Sequence, residues 1–328
     1  MAVANAQVST PLWITLGVAL ALGAVGAGAG YYFAGTPQAL APTAAGGPII
    51  IALQPTDQAS IQGKADELEA FLEQRSGLDV EILVPLTYTG TVEALRFGHA
   101  DVAMMSAWPS RLAHDIGGAE IVLAEQREVV VDGELQVKPF YYSYYVVAKD
   151  SPYQSLEDLR GKTVAYPSLT STSGYVYPVA RLAERGLIPA AANGAPADPS
   201  AFFGKVVFAG DYAKAWNAVG QGQADVTVTA GDINATLFRT IMEGSRILET
   251  QGPVPSHGVV FAKDFVNTPE AAKLKAAFLE LKGEHKELMR KLVSGIFVEF
   301  AETTTDQHTA ALDAALAKTG LRHQDRLG

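Results

Sequence analysis

"SYYVVAKDSP" (Ser143–Pro152) returns later in the chain as "HGVVFAKDFV" (His257–Val266). Both are apolar, β-branched runs that close on Ala-Lys-Asp, and each leads into a helix-like segment, "SLEDLRG" and "PEAAKLKAAF". Between the two lie "KTVAYP", "GKVVFAG" and "ADVTVTAG", three strand-like runs with helical stretches between them. Short apolar runs bounded by turn residues read as buried strands. Coincidence between two similar strands is the competing reading. The reading adopted takes them as the two crossover strands of a bilobed α/β protein, which leaves its first lobe near residue 145 and re-enters it near 258.

Upstream of the first copy, strands and helices alternate. "PIIIAL" (Pro48–Leu53), "DVEILVPL" and "DVAMMSA" read as strands, separated by the helix-like "SIQGKADELEAFLEQRSG" and "TGTVEALRFGHA". Leu68, Phe71 and Leu72 recur at helical spacing, and Gly77 suits a C-cap. Such alternation predicts a largely parallel sheet. Residues 49–145 and 258–328 are assigned to lobe 1 and 146–257 to lobe 2, with the helical stretch 268–328 packing back on lobe 1. Ligands of such sheets bind beyond the carboxyl ends of the strands, which here face the cleft between lobes.

Before Asp57 no side chain is charged. "PLWITLGVALALGAVGAGAGYYF" (Pro11–Phe33) is apolar or small throughout and carries aromatics at both ends. An uncharged run of about 20 residues spans a bilayer as a helix, and aromatics favour its interfaces. A cleaved signal peptide usually has a basic start and a shorter apolar core, so residues 11–33 are expected to be an uncleaved anchor. Residues 1–10 form a short tail, and the Ala-, Pro- and Gly-rich stretch 34–48 a flexible linker. The formal net charge of -10 argues against nucleic acid as a partner, since phosphate backbones require clustered Lys and Arg. The absence of cysteine removes disulfides, thiolate metal sites and Cys nucleophiles. The six histidines pair with no other ligand at metal spacing, so neither metal nor cofactor is expected.

One stretch carries chemistry. In "AYPSLTSTSGYVYPVARLAERGL" a strand ends near Tyr166 and a helix is expected from about Gly174 to Leu187, which puts Ser171, Thr172 and Ser173 at its N-terminus. Unpaired backbone N–H groups and the positive end of the helix dipole make that position an anion site. Capping needs one hydroxyl; the other two and Gly174 are surplus to it.

These residues also resemble a known family. "STSGY" followed by a proline-bearing helix is similar to the signature of the phosphonate, phosphite and phosphate substrate-binding proteins of ABC importers. "PLTYTGTVEALRFGHADVAMMS" and "FYYSYYVVAKDSP" resemble further family segments, and the likeness covers most of residues 49–265. "LEDLRGKTVAY" resembles a segment shared by the wider bilobed superfamily. The resemblance implies a periplasmic-binding-protein type II fold that closes on its ligand and hands it to a permease and its ATPase. It implies that Ser171, Thr172 and Ser173 hold the phosphonyl oxygens, with Tyr88 closing from the first lobe and Tyr141 on the first crossover strand. Strand alternation supports Tyr141, because it puts Tyr141 and Ser143 on one face and Tyr142 and Tyr144 on the other.

Two positions depart from the family pattern. Where the family has an oxyanion-binding histidine, the gapless alignment places Tyr212; a register slip would put Asp211 there instead. Where members that bind an aminophosphonate have an acid, His257 stands, whereas Asp232 matches a second acid that receives the ligand amine. His257 is expected either to touch ligand or to sit at the hinge on a backbone partner. Thr56 and Asp211 are secondary candidates. The expectation is thus a monomeric, membrane-tethered protein on the outer face of the cell membrane (periplasmic if residues 11–33 are cleaved) that captures a small phosphorus oxyanion. The same fold binding a sulfonate, or presenting its ligand to a membrane receptor, is the alternative. An enzyme would need Ser171 or Asp211 as nucleophile or base, and no histidine lies near either in sequence.

Overall fold

The computed structural model describes residues 46–54 and 64–321. Strands β1 (Ile49–Leu53), β2 (Val80–Leu83) and β3 (Val102–Met105) alternate with helices α1 (Ala65–Ser76), α2 (Tyr88–Arg96) and α3 (Ala107–Gly117). A hairpin, β4 (Glu120–Val131) and β5 (Glu134–Lys138), leads to β6 (Phe140–Ala148). Next come β7 (Thr163–Tyr166), α4 (Tyr177–Glu184), β8 (Lys205–Phe208), α5 (Tyr212–Gly220), β9 (Val226–Ala230), α6 (Ala235–Gly244) and β10 (Ser245–Pro255). The chain ends with β11 (Gly258–Phe261), α7 (Pro269–Leu279), α8 (Lys286–Leu292), β12 (Phe297–Glu302) and α9 (Thr305–Thr319).

Two sheets result. A seven-stranded sheet has the order β12-β4-β11-β3-β1-β2 with β5 added to β4, and a five-stranded sheet the order β10-β6-β9-β7-β8. The parallel pairs are those joined through helices: β1 to β2 and β3, and β7 to β8 and β9. All other pairs are antiparallel. The sheets are therefore mixed rather than largely parallel. Strands that arrive from the other half of the molecule have no crossover helix to bring them in along the local direction.

Each Ala-Lys-Asp strand begins just after the chain changes sheet. β6 pairs throughout within the five-stranded sheet, with Phe140 opposite Pro255, so the chain changes sheet at Pro139 rather than near 145. It returns at Ser256–His257, and β11 lies between β3 and β4.

The apolar faces meet in two main clusters. Leu68, Phe71 and Leu72 of α1 pack with Phe278 and Phe297 beside the first sheet. A second cluster runs without a break from Trp108 and Leu112 through Tyr141 and Tyr175 to Leu312, and so joins both halves.

The C-terminal helix differs from expectation. β12 belongs to the first sheet, but α9 spans the junction. At its start Thr305 Oγ1 accepts from Ile121 N of β4 (3.0 Å). At its end the carbonyls of Lys318 and Thr319 accept from Ala191 N (2.9 Å) and Ala197 N (2.8 Å), beyond α4. Midway, Tyr177 of α4 donates to the Ala311 carbonyl (3.1 Å).

Among the described residues no helix is long and apolar enough to cross a membrane. The expected span at 11–33, nearly all of the linker, and Thr56 lie outside the described residues.

Candidate functional site

Residues beyond the carboxyl ends of β3, β7, β8 and β9 come together at the junction, where α/β sheets place ligands. After β7, Ser171 is the N-cap of the next helix: its Oγ accepts from Gly174 N (3.0 Å). The helix opens two residues earlier than expected, as a π-turn over Thr172–Val176, in which Val176 N reaches back to Ser171 O (3.2 Å). Pro178 explains the wide turn. It has no N–H, and its ring would meet the carbonyl four residues back in a regular helix.

Each of the three hydroxyls is engaged. Ser171 caps. Thr172 Oγ1 accepts from Trp108 N, the amide of an open helix end in the other half of the molecule (2.8 Å). Ser173 Oγ accepts from Tyr141 OH (2.9 Å) and is hydrogen-bonded to Tyr212 OH (2.8 Å). Tyr212 OH also lies 3.3 Å from Ser171 Oγ. All six side chains are buried.

Helix starts converge here. Tyr88 opens α2 behind its N-cap Thr87, Tyr212 opens α5 behind its N-cap Asp211, and Trp108 lies in the first turn of α3. Tyr88 faces the same cluster with a buried hydroxyl that has no partner at bonding geometry among the described residues, although Ser171 is its polar neighbour. Burial is the main cause that raises the pKa of Tyr88, Tyr141 and Tyr212, and the Asp232 carboxylate raises each further. The three therefore stay protonated and present neutral O–H donors. Neutral donors and helix N-termini together make a site for an anion.

Asp211 does not join it. Its carboxylate accepts from Lys214 N (2.7 Å) and pairs with Lys214 Nζ (2.8 Å), so it serves its own helix. The gapless register thus places Tyr212, and not Asp211, on the hydroxyls.

Asp232 and His257 are together, with Nε2 3.1 Å from Oδ2. Two residues that sequence reading missed complete their surroundings. Arg127 Nη1 donates to Asp232 Oδ2 (3.0 Å), and its Nε (2.9 Å) and Nη2 (2.5 Å) donate to Glu125 Oε2. The guanidinium lies 4.5 Å from the centre of the Tyr141 ring, a cation–π contact. A signal for both residues exists: in "IVLAEQREVVV" Glu125 and Arg127 fall on the phase of Ile121, Leu123 and Val129, the buried face of β4. Among the described residues no three metal-ligating side chains are grouped to hold an ion.

Gly174 is required by space. A Cβ there would lie 2.3 Å from Pro167 Cγ and 2.7 Å from Ser171 Oγ. Gly174→Ala must displace a rigid ring and the cap, so thermal unfolding should report a loss of about 1–3 kcal/mol.

Comparison with known proteins bears on this geometry. The family model described as "ABC transporter, phosphonate, periplasmic substrate-binding protein" matches residues 51–308. The chain is 28% identical over 262 residues to the phosphate-import protein PhnD of Mycolicibacterium smegmatis, covering 75% of this chain and 76% of that one. A binding-protein component of an ABC phosphonate transporter from Pseudomonas aeruginosa superposes with a TM-score of 0.68 at 22% identity, over 86% of this chain and 90% of that one. PhnD1 from Prochlorococcus marinus, solved with methylphosphonate, gives 0.65 at 16% identity, over 81% and 96% of the two chains. These two structures have the same two-sheet α/β fold, that of periplasmic binding proteins of type II.

Proposed function

Because the chain belongs to the phosphonate-binding family of periplasmic substrate-binding proteins of ABC transporters, we propose that it captures a small phosphorus oxyanion at the Ser171–Ser173 cluster and delivers it to a permease. The family is a substrate-binding component of a transporter and not an enzyme, and membership implies a location outside the cytoplasm. Phosphate, phosphite and short phosphonates are the ligands in view. A phosphate importer among the relatives and a methylphosphonate complex among the structural neighbours support that range.

The observation that carries the reading is the convergence of Ser171, Thr172, Ser173, Tyr88, Tyr141 and Tyr212, all buried and all neutral, at helix N-termini from both halves. A tetrahedral oxyanion accepts from several directions at once, and donors from two bodies bind it best when the bodies close. Residues 49–138 with 258–302, and 140–255, act as the two lobes, with the exchange points at Pro139 and Ser256–His257 as hinge and α9 lying across both. Residues 11–33 hold the protein at the membrane as a monomer. Because every donor is neutral or backbone, the acidic overall charge is no obstacle to anion capture.

Calorimetric titration of the purified full-length chain with phosphate, phosphite, methylphosphonate and taurine tests the proposal. One phosphorus ligand should bind tightly and taurine should not. Thr172→Ala and Ser171→Ala should each weaken binding by about 1–3 kcal/mol, the value of a lost charge-assisted hydrogen bond. Unchanged affinity in both variants would remove the site.

A further inference from the structure

Against the Tyr141 ring lies a sealed ionic group. Glu125 and Arg127 have no exposed surface, and Asp232 and His257 only 3% each. Tyr141 connects this group to the hydroxyl cluster, since its hydroxyl donates to Ser173 while its ring covers the Arg127 guanidinium. The His257 ring stands perpendicular to the same tyrosine, 6.4 Å between centroids. Glu125 and Arg127 come from β4 of the first sheet, and Asp232 from the turn after β9 of the second. The Arg127–Asp232 pair therefore crosses the junction at the inner end of the site.

Asp232 would have two uses in an anion-binding cleft, were it free. A bare carboxylate would repel the ligand's charged oxygens, and it would welcome a positive group on the ligand's substituent. Both uses are curtailed here, because a cation already sits on the carboxylate and little of its surface is exposed. Its Oδ2 already takes Arg127 Nη1 at 3.0 Å and has His257 Nε2 at 3.1 Å. Arg127 cannot swing away to make room, because it is fully enclosed and its other donors are held by Glu125.

We propose that Arg127 is a resident counter-cation, which occupies the place a ligand's ammonium would need and so restricts the protein to phosphorus oxyanions without a positively charged tail. This rests on the reading that Ser171–Ser173 and Tyr141 hold the anion. An incoming ammonium would meet a guanidinium of its own sign beside the one carboxylate able to receive it, and discrimination follows from that repulsion. Inorganic phosphate, phosphite and phosphonates with an uncharged alkyl tail bring no such positive charge. For them, Arg127 offsets the Asp232 carboxylate that would otherwise oppose their binding.

The test is the ratio of Kd values for 2-aminoethylphosphonate and methylphosphonate, measured by titration on the full-length chain and on Arg127→Met. In the wild type the amino compound should bind at least about tenfold more weakly, as like-charge juxtaposition requires. Arg127→Met frees Asp232, and the ratio should move toward the amino compound by about tenfold or more. Arg127→Lys keeps the cation and should keep the wild-type order. If Arg127→Met does not fold by circular dichroism, Arg127→Met with Glu125→Gln, which removes one charge of each sign, makes the same comparison. A wild-type ratio near one, or a ratio that Arg127→Met leaves unchanged, overturns the proposal while the oxyanion site stands. Failure of every phosphorus ligand to bind the wild type is a different result; it removes the oxyanion site itself, and this proposal with it.

Discussion

Replacing Arg127 by Met should cost the fold about 3–5 kcal/mol at neutral pH, the usual consequence of removing one partner from a buried ion pair. The substitution is close in volume, so little of the loss is packing. What it leaves is two carboxylates, Glu125 and Asp232, enclosed with no full cation between them. Burial alone pushes the Asp232 carboxyl up; Arg127, followed by His257, outweighs burial and holds it below the ordinary aspartate range. Without the guanidinium only His257 is left beside the Asp232 carboxylate, and burial opposes its charge with little to offset it. Denaturant unfolding at pH 7 measures the loss. Adding Glu125→Gln and Asp232→Asn to Arg127→Met should recover most of it, because the cost lies in unpaired charge and not in the missing contact. A loss under about 1 kcal/mol in the single variant would mean the pair is screened as a surface pair is, and not enclosed.

The second large effect is a dependence of stability on mild acid, set by His308. Burial pushes this imidazole down to about 4; the hydrogen bond to Ser256 opposes the shift, and Arg127 and His257 add to it. A carbonyl only accepts, so Nε2 carries the proton and donates to Ser256 O at 2.9 Å. In the unfolded chain the ring titrates near 6.5. The unfolded state therefore binds its proton first as pH falls. The stabilisation is whole above about pH 6.5 and erodes on the way down to about pH 4, by roughly 3–4 kcal/mol in all at about 1.4 kcal/mol per unit. Urea midpoints between pH 7 and 4.5 should fall accordingly, and His308→Gln, which keeps a donor for Ser256, should flatten the slope. An equal slope in both proteins would show that His308 is not its source. Asp232 contributes separately: its lowered carboxyl protects the fold above the unfolded value near 3.9 and loses that effect only at more acid pH.

How much of this could be read from the chain depends on the range over which each feature is determined. Capping is local: Ser171 sits three residues from the amide it accepts, and its role follows from the order of residues alone. Strand alternation is local too, and it correctly separated buried Tyr141 from half-buried Tyr142. The β11 strand was legible because a sheet-forming run repeats a pattern met earlier. The first change of sheet was placed late, because β6 is apolar throughout and nothing in it distinguishes residues that pair in one sheet from those that pair in the other. Arg127 and Glu125 escaped notice for a different reason. Charged side chains in a strand read as its wet face, and only a partner 105 positions away, Asp232, makes their burial tolerable. The amide of Trp108 could not have been foreseen at all. Every helix start has such a group, and which one meets Thr172 is decided by how the halves pack.

α9 joins two bodies that have to move apart if the cleft is to open. Its fifteen residues make a rod of about 22 Å, held at one end by β4 and at the other by the loop beyond α4. A strut fastened to both sides of a joint keeps the bodies from drawing apart along its length. Rotation about its line remains the inexpensive motion. A shortened C-terminus would therefore do more than trim the first half: it would unship the bar that keeps the door on its frame.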